Sequence, residues 1–357
     1  MGADSGRDSR FRSEYAQLLI PLLALLLLII FNIFRDPGFF SVEMTTNNDG
    51  NRVLTGNLIS ILNGASELAI LAMGMTLVTA SSGGQDISVG ACAAIAGSMF
   101  VNILRGGAIT PFTILLGFLA ACAIAMVFGA FNGTLVAVFN IQPMIATLIM
   151  YTAGRSVAYW INGGATPTVS SPLVSAIGGF IPGVPIPTPV FIVLAVAIVF
   201  GLVFKFTNLA LYTQSVGINQ RAARLNGINA TGMKLLTFVI LGLCVAVAGC
   251  ISVSRLGLIN HETILNEIEM DAILAVAIGG NALSGGKFKL SGSVLGAYAI
   301  QALTITLYAM KVPSTAVKAY KAIVIILIVV IGSPVVKAAA GRLWGRLMGQ
   351  ALGGEGL

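Results

Sequence analysis

The feature that most constrains this chain is a succession of apolar runs, each about long enough to cross a bilayer, separated by short polar breaks. A helix needs about 20 apolar residues to span roughly 30 Å of hydrocarbon. About ten such runs are present: 18–34, 57–80, 85–104, 112–138, 142–161, 188–206, 232–254, 270–282, 290–310 and 317–335. In lipid only helices or closed barrels satisfy their own backbone, and runs of this length point to helices. The predicted class is an all-α polytopic membrane protein. Charge supports it: charged residues make up 9% of the chain and apolar residues 57%, against about 25% charged in a soluble domain. The third and eighth runs each adjoin a glycine pair and are candidates for broken or re-entrant segments.

The net charge of +7 does not point to nucleic acid, because the basic residues are spread over short breaks and tails, as the positive-inside bias expects. With an inner N-terminus, the inner segments hold Arg7, Arg10, Arg12, Lys205, Arg221, Arg224, Lys234, Lys287, Lys289, Lys337, Arg342 and Arg346. The outer ones hold Arg35, Arg52, Arg105, Arg255 and Lys311. Twelve against five predicts a cytoplasmic tail over 1–17, a transmembrane domain over 18–336 and a second cytoplasmic tail over 337–357. The first run has no small-x-small cleavage site after it and reads as an uncleaved span. The break 166–189 is rich in proline, with room for a short helix.

One polar stretch, 205–234, has long apolar runs on both sides and lies on the cytoplasmic side in this topology. Its centre, Asn219, Gln220, Arg221, Ala222, Ala223, Arg224, Leu225, Asn226, Gly227, reads as a short amphipathic helix stopped by a glycine. Ala222, Ala223 and Leu225 are expected to share one face, with Gln220, Arg221 and Arg224 solvated. Two readings are open: a docking helix for a soluble partner, or an ordinary basic connector.

An internal echo relates two stretches. Gly83-Gly84-Gln85-Asp86-Ile87-Ser88-Val89-Gly90 matches Gly279-Gly280-Asn281-Ala282-Leu283-Ser284-Gly285-Gly286 as G-G-x-x-[Ile/Leu]-S-x-G. Each copy follows an apolar run and precedes one rich in small residues. The echo predicts two pseudo-repeated halves in parallel orientation, an arrangement typical of transporters. Gly129-x-x-x-Gly133 and Gly292-x-x-x-Gly296 predict close helix crossings. The four cysteines, Cys92, Cys122, Cys244 and Cys250, lie inside apolar runs without metal spacing and read as small packing residues.

Enzyme chemistry finds little to work with. His261 is the single histidine, so a histidine-based metal cluster or triad is not expected. Gly280 to Lys287 has the wrong glycine spacing for a phosphate loop, and Phe288 stands where Ser or Thr is required. The clear intramembrane charges are Glu67, Asp86 and Arg155, and such charges are paired or face a cavity. Glu67 and Arg155 lie at compatible depths and are expected to pair. Asp86 is expected to cap the helix after its glycine turn.

Several stretches together resemble the permease subunits of bacterial ribose-type sugar ABC importers. They are Gly74-Met75-Thr76-Leu77-Val78 leading into GGQDISVG; Phe131-Asn132-Gly133-Thr134-Leu135-Val136-Ala137; Ile141-Gln142-Pro143-Met144-Ile145-Ala146-Thr147-Leu148; Gly154-Arg155; RAARLNGIN from Arg221; and Met270 to Gly280. The likeness covers about 57–335 and within the family is nearest to galactofuranose permeases, through Val216-Gly217-Ile218-Asn219 and GGKF. It implies a non-enzymatic transport subunit that moves a monosaccharide by alternating access. It also implies a second permease, identical or paralogous, a cytoplasmic ATPase holding Mg-ATP, and a periplasmic sugar-binding protein. No cofactor is implied in this chain. In the general importer coupling motif E-A-A-x-x-x-G, Ala222, Ala223 and Gly227 match and Arg221 replaces the glutamate. Asn63, Glu67, Phe131, Asn132, Tyr151, Arg155, Tyr298, Gln301 and Thr304 are path-lining candidates, with helix packing as the alternative for each. A nucleoside or amino-acid cargo is the alternative within this architecture. An ion-driven transporter is the alternative outside it, and it lacks the intramembrane titratable chain it would need.

Overall fold

The computed structural model describes residues 4–46 and 50–332. The expected tail 337–357, with Lys337, Arg342 and Arg346, lies outside them, as does the end of the run 317–335. The chain divides into two compact units, Met1–Ile305 and Thr306–Leu357.

The first unit opens with α1 (Asp4–Arg35), which begins inside the expected N-terminal tail. A hairpin follows, β1 (Glu43–Thr46) against β2 (Arg52–Thr55), antiparallel with Glu43 opposite Thr55. It occupies a stretch that reads as a polar break and carries no strand signal strong enough to anticipate it. The helices that follow are α2 (Asn57–Ser82), α3 (Val89–Arg105), α4 (Pro111–Ala137), α5 (Pro143–Ile161), α6 (Pro172–Gly178), α7 (Thr188–Phe206), α8 (Leu209–Ile218), α9 (Gln220–Leu225), α10 (Ala230–Leu256), α11 (Ile268–Ile278) and α12 (Leu290–Ala309). The second unit, taken by itself, holds the end of α12 and α13 (Ser314–Gly332).

Among the described residues, five helices are long and apolar enough to cross a membrane: α2, α4, α7, α10 and α12. This is a multi-pass helical membrane protein. Two of the expected runs are too short as helices. α11 has 11 residues, or about 16 Å at 1.5 Å per residue. α3 starts only at Val89, because the chain turns back after α2 and climbs beside it. The backbone N–H of Asp86 meets the Met75 sulfur at 3.5 Å, a full two turns up α2.

α2 and α10 form the centre. They run antiparallel: Arg255 meets Glu67 at 2.9 Å near one end and Thr237 meets Ser81 at 2.8 Å near the other. Midway, a methyl on Gly74 would stand 3.1 Å from both the Cys244 sulfur and the Leu241 Cα. Small residues let backbones approach where lipid supplies no hydrophobic drive, and both glycine pairs in the sequence are used this way. Gly129 and Gly133 set α4 on α10, with a Gly129 methyl only 2.5 Å from the Phe238 oxygen. Gly292 and Gly296 set α12 against Gly279 and Ala275 of α11. The four cysteines are buried and free. α7 buries only Pro189, Val193 and Phe200. It stands off from α4 and α10 across an apolar cleft of about 670 Å³.

Candidate functional site

Three polar constellations stand out against this apolar frame. The first is the turn-helix between α8 and α10. The Asn219 side chain accepts from the backbone of Arg221 and Ala222, both at 3.0 Å, and so starts α9. Gly227, at φ 78, takes the left-handed conformation that ends it. The helix is fastened to its own protein. Ala223 is buried in a cluster with Val216 and Ala230, with Ile228 and Met233 against it. Gln220 accepts from the Lys234 ammonium at 2.9 Å, and Arg224 reaches the Thr231 hydroxyl at 3.4 Å.

This corrects the expected face. Ala223 points inward, while Ala222 is exposed and Leu225 is 90% exposed. In a six-residue helix, Ala223 lies nearly opposite Leu225, so the two cannot share a face. Gln220 is held by Lys234 rather than solvated. The outward apolar surface is Leu225 with Ile218, which is 62% exposed.

The second constellation joins the two echo motifs. Gln85 donates to the Leu283 carbonyl at 2.9 Å and Gly286 N–H to the Ala80 carbonyl at 2.9 Å. Gly83 has φ 65, Gly280 φ 78, Gly285 φ 90 and Gly286 φ 95, conformations that bar most side chains. Gly84 packs on Pro143. A methyl on Gly90 would come within 2.5 Å of the Glu269 carboxylate. Each copy has its own polar clasp. In the first, Asp86 accepts from Ser88 N–H at 2.7 Å and Ser88 Oγ at 2.6 Å, and Asn132 donates to Ser88 Oγ at 2.9 Å. In the second, Ala282 stands at the position of Asp86, and the clasp is made instead by Asn281, the counterpart of Gln85. It accepts from Lys289 N–H at 2.6 Å and donates to Ser293 at 2.7 Å. Ser293 meets Thr76 of α2 at 2.6 Å.

The third lies at the far end of α2 and α10. Glu67 is 4% exposed, and its partner is Arg255, not Arg155. Arg255 also donates to the Asn63 carbonyl and side chain, at 3.2 and 3.0 Å. Gln301 lies against Gly64 between Asn63 and Glu67. Arg155 is instead spent on the segment after α10: it donates to the carbonyls of His261, Glu262 and Ile264 at 2.7, 3.0 and 3.3 Å. The expected Glu67–Arg155 pair fails because depth was compatible but direction was not. Arg155 projects from α5 onto the 261–266 turn. The sequence did carry a signal for Arg255. The apolar run reaches Ser254, which puts Arg255 on the last turn of α10 and not in a loop. Asn63 and Glu67, four apart, offer one receiving face.

Of the other path candidates, Asn132 is fully buried in the first clasp and Thr304 bonds its own helix at Ile300. Phe131 is 44% exposed on α4. Tyr151 and Tyr298 are half-buried. Asn63, Glu67 and Gln301 are brought together; the remainder are dispersed. Among the described residues no cluster of His, Cys, Asp and Glu could hold a metal ion.

Two interlocked glycine turns, a short helix fastened to its own protein and an arginine–glutamate clasp are the polar features of this apolar frame. The family described as the permease component of branched-chain amino acid transport systems matches residues 57–332. The chain belongs to this family. Among relatives of the permease, the galactofuranose transporter permease protein YtfT of Escherichia coli is 39% identical over 316 residues, covering 87% of this chain and 88% of that one. The fructose import permease protein FruF of Bifidobacterium longum is 36% identical, covering 87% and 85%. The ribose import permease protein RbsC of Escherichia coli is 34% identical, covering 87% and 92%. No solved structure matches the permease.

Proposed function

We propose that this permease is the membrane subunit of an ATP-binding-cassette importer for a monosaccharide in the bacterial inner membrane. One observation carries the cargo: relatives matched over 87% of the chain are permeases for galactofuranose, fructose and ribose. The family's description speaks of branched-chain amino acids, but the three relatives named above are sugar permeases and do not favour an amino-acid cargo. The permease is not an enzyme; Mg-ATP belongs to a separate cytoplasmic ATPase. A second permease, identical or paralogous, and a periplasmic sugar-binding protein complete the assembly. About ten segments enter the membrane, in two echoed halves, over 18–336. The tails 1–17 and 337–357 and the loop 205–234 are cytoplasmic.

In this reading α9 is the docking helix. Leu225 and Ile218 are large, apolar and exposed on a segment that lies outside the bilayer, and such surface marks a contact. Ala223, clustered with Val216 and Ala230, fixes α9 to the foot of α10. ATP binding in the partner then moves α9 and α10 together. Leu225→Asp is expected to leave membrane abundance unchanged and to lower sugar uptake and ATPase co-purification at least about tenfold, the equivalent of 1.4 kcal/mol of contact. Normal uptake in Leu225→Asp would remove α9 from the coupling. Proteoliposomes that import leucine and none of the three sugars would replace the cargo.

Orientation has its own test. Single cysteines at Asn226, Thr168 and Thr46, with the four buried thiols replaced, are labelled on intact cells with an impermeant maleimide. Thr168 and Thr46 are expected to react and Asn226 to stay unlabelled. Outside labelling at Asn226 would invert the topology.

A further inference from the structure

The Arg255 clasp forms one wall of a cavity that the transport reading leaves without a role. It measures about 670 Å³ and is lined by Ser170, Ser171 and Ser175 around α6, by Phe180, and by Ser254 and Arg255 at the end of α10. That volume lies inside the range of about 300–1,000 Å³ found for small-molecule pockets. Its frame is rigid. α6 sits on α10 so closely that a methyl on Gly178 would stand 2.6 Å from the Arg255 Cα and 2.7 Å from the Ile251 oxygen. The walls are therefore set by backbone and not by loop tips alone.

We propose that this cavity is an entry subsite for a neutral, polyhydroxylated ligand, a monosaccharide received before it moves between the spans. The inference rests on the importer reading and names a place for its cargo on the outer side.

Four observations point to hydroxyls. Ser254 is 1% exposed, and its Oγ has no hydrogen-bond partner among the described residues. A buried hydroxyl left that way is costly; Ser254 lines the cavity wall, and a ligand hydroxyl becomes its partner once a small side-chain turn exposes the Oγ. Arg255 has five N–H groups. Four are taken: one by Gly178 O at 3.4 Å, one by Glu67 at 2.9 Å, and two by Asn63. One remains on Nη1 to meet an acceptor. Glu67 cancels the guanidinium charge, so an anion finds no net positive field here, whereas a hydroxyl needs none. The serines around α6 each offer both a donor and two acceptors, which is what a sugar ring requires on its polar edge. Phe180 supplies an apolar wall for its C–H face.

The test uses the complete importer in proteoliposomes, with permease, ATPase and binding protein, and galactofuranose, fructose, ribose and leucine as probes. Ser175→Leu projects bulk into the cavity without touching the Glu67–Arg255 pair. For the imported sugar it is expected to raise KM about tenfold, the size of effect one pocket contact carries, with kcat held. A merely structural role would lower kcat and abundance instead. Ser175→Cys keeps the side-chain size and gives a binding readout without transport. An impermeant maleimide is expected to label it, and the imported sugar, not leucine, is expected to slow that labelling. Wild-type import of a sugar, with unchanged KM in Ser175→Leu and unprotected Ser175→Cys, overturns the subsite and leaves the importer reading standing. Import and protection by leucine alone overturn both.

Discussion

Arg255→Leu is expected to be the most damaging single change of charge in this permease. It strands the Glu67 carboxylate, 4% exposed, between α2 and α10 with its ion partner gone. Removing one member of a fully buried pair costs about 3–5 kcal/mol, mostly as the penalty of the charge left behind; the Arg255 side chain is 31% exposed, so solvent screening holds the loss to the lower end of that range or below. The melting temperature of the detergent-solubilised protein is expected to fall, and membrane abundance with it. Glu67→Leu in the same chain is expected to restore much of the loss, because two apolar groups replace a pair with no orphan. Arg155 provides the contrast. Arg155→Leu releases the carbonyls of 261–264, which Glu67 does not touch, so its cost is expected simply to add to that of Glu67→Leu. Rescue of Arg155→Leu by Glu67→Leu, with none for Arg255→Leu, would exchange the two pairings.

Gly217→Ala is expected to be nearly as severe, and for a different reason. Gly217 on α8 meets the Ala80 carbonyl at the foot of α2, and an added methyl would also lie 2.7 Å from the Gly286 nitrogen. Both obstacles are backbone, so no rotamer relieves them. Overpacking of this kind costs about 1–3 kcal/mol and occasionally more. The displaced element is the helix that carries α9, so uptake is expected to fall further than stability. Gly201→Ala is the control. It lies mid-helix on α7 with nothing within 4 Å of the added carbon, and it is expected to melt and transport at least as well as wild type. Wild-type uptake from Gly217→Ala would mean that the junction yields.

Much of this was legible from residues alone. Apolar length gave the class, since run length maps directly onto helices in lipid. Glycine pairs marked the two turns that flank the short helices α3 and α11 and both close crossings, because a glycine marks a steric constraint that is local to its own sequence. The echo between 83–90 and 279–286 named two turns, although nothing in either one said that Gln85 would bond Leu283. Side-chain direction was not legible. Ala222 and Ala223 are equal in composition, yet only the packing of Val216 and Ala230 decides which one turns inward. Arg155 and Arg255 are both arginines near one membrane face. Which of them meets Glu67 depends on the azimuth of α5 against that of α10, a tertiary quantity that no local pattern encodes. The hairpin over 43–55 was hidden for a related reason: its strands are short and mostly exposed, so period-two burial leaves almost no trace.

α10 ties the two ends of the permease together. Its foot begins at Ala230, packed on Ala223 of α9, and its last turn holds Arg255, which touches Asn63, Glu67 and Gly178. It is continuous over 27 residues, a rod about 40 Å long. A rigid tilt of about 5° about the foot sweeps the far end through about 3.5 Å at that length, more than the span of the hydrogen bonds made there. Leverage of this kind works in both directions. If nucleotide in the ATPase opens or closes the serine-lined cavity through this rod, then occupancy of the cavity must bias nucleotide binding by the same factor, since coupling free energies are reciprocal.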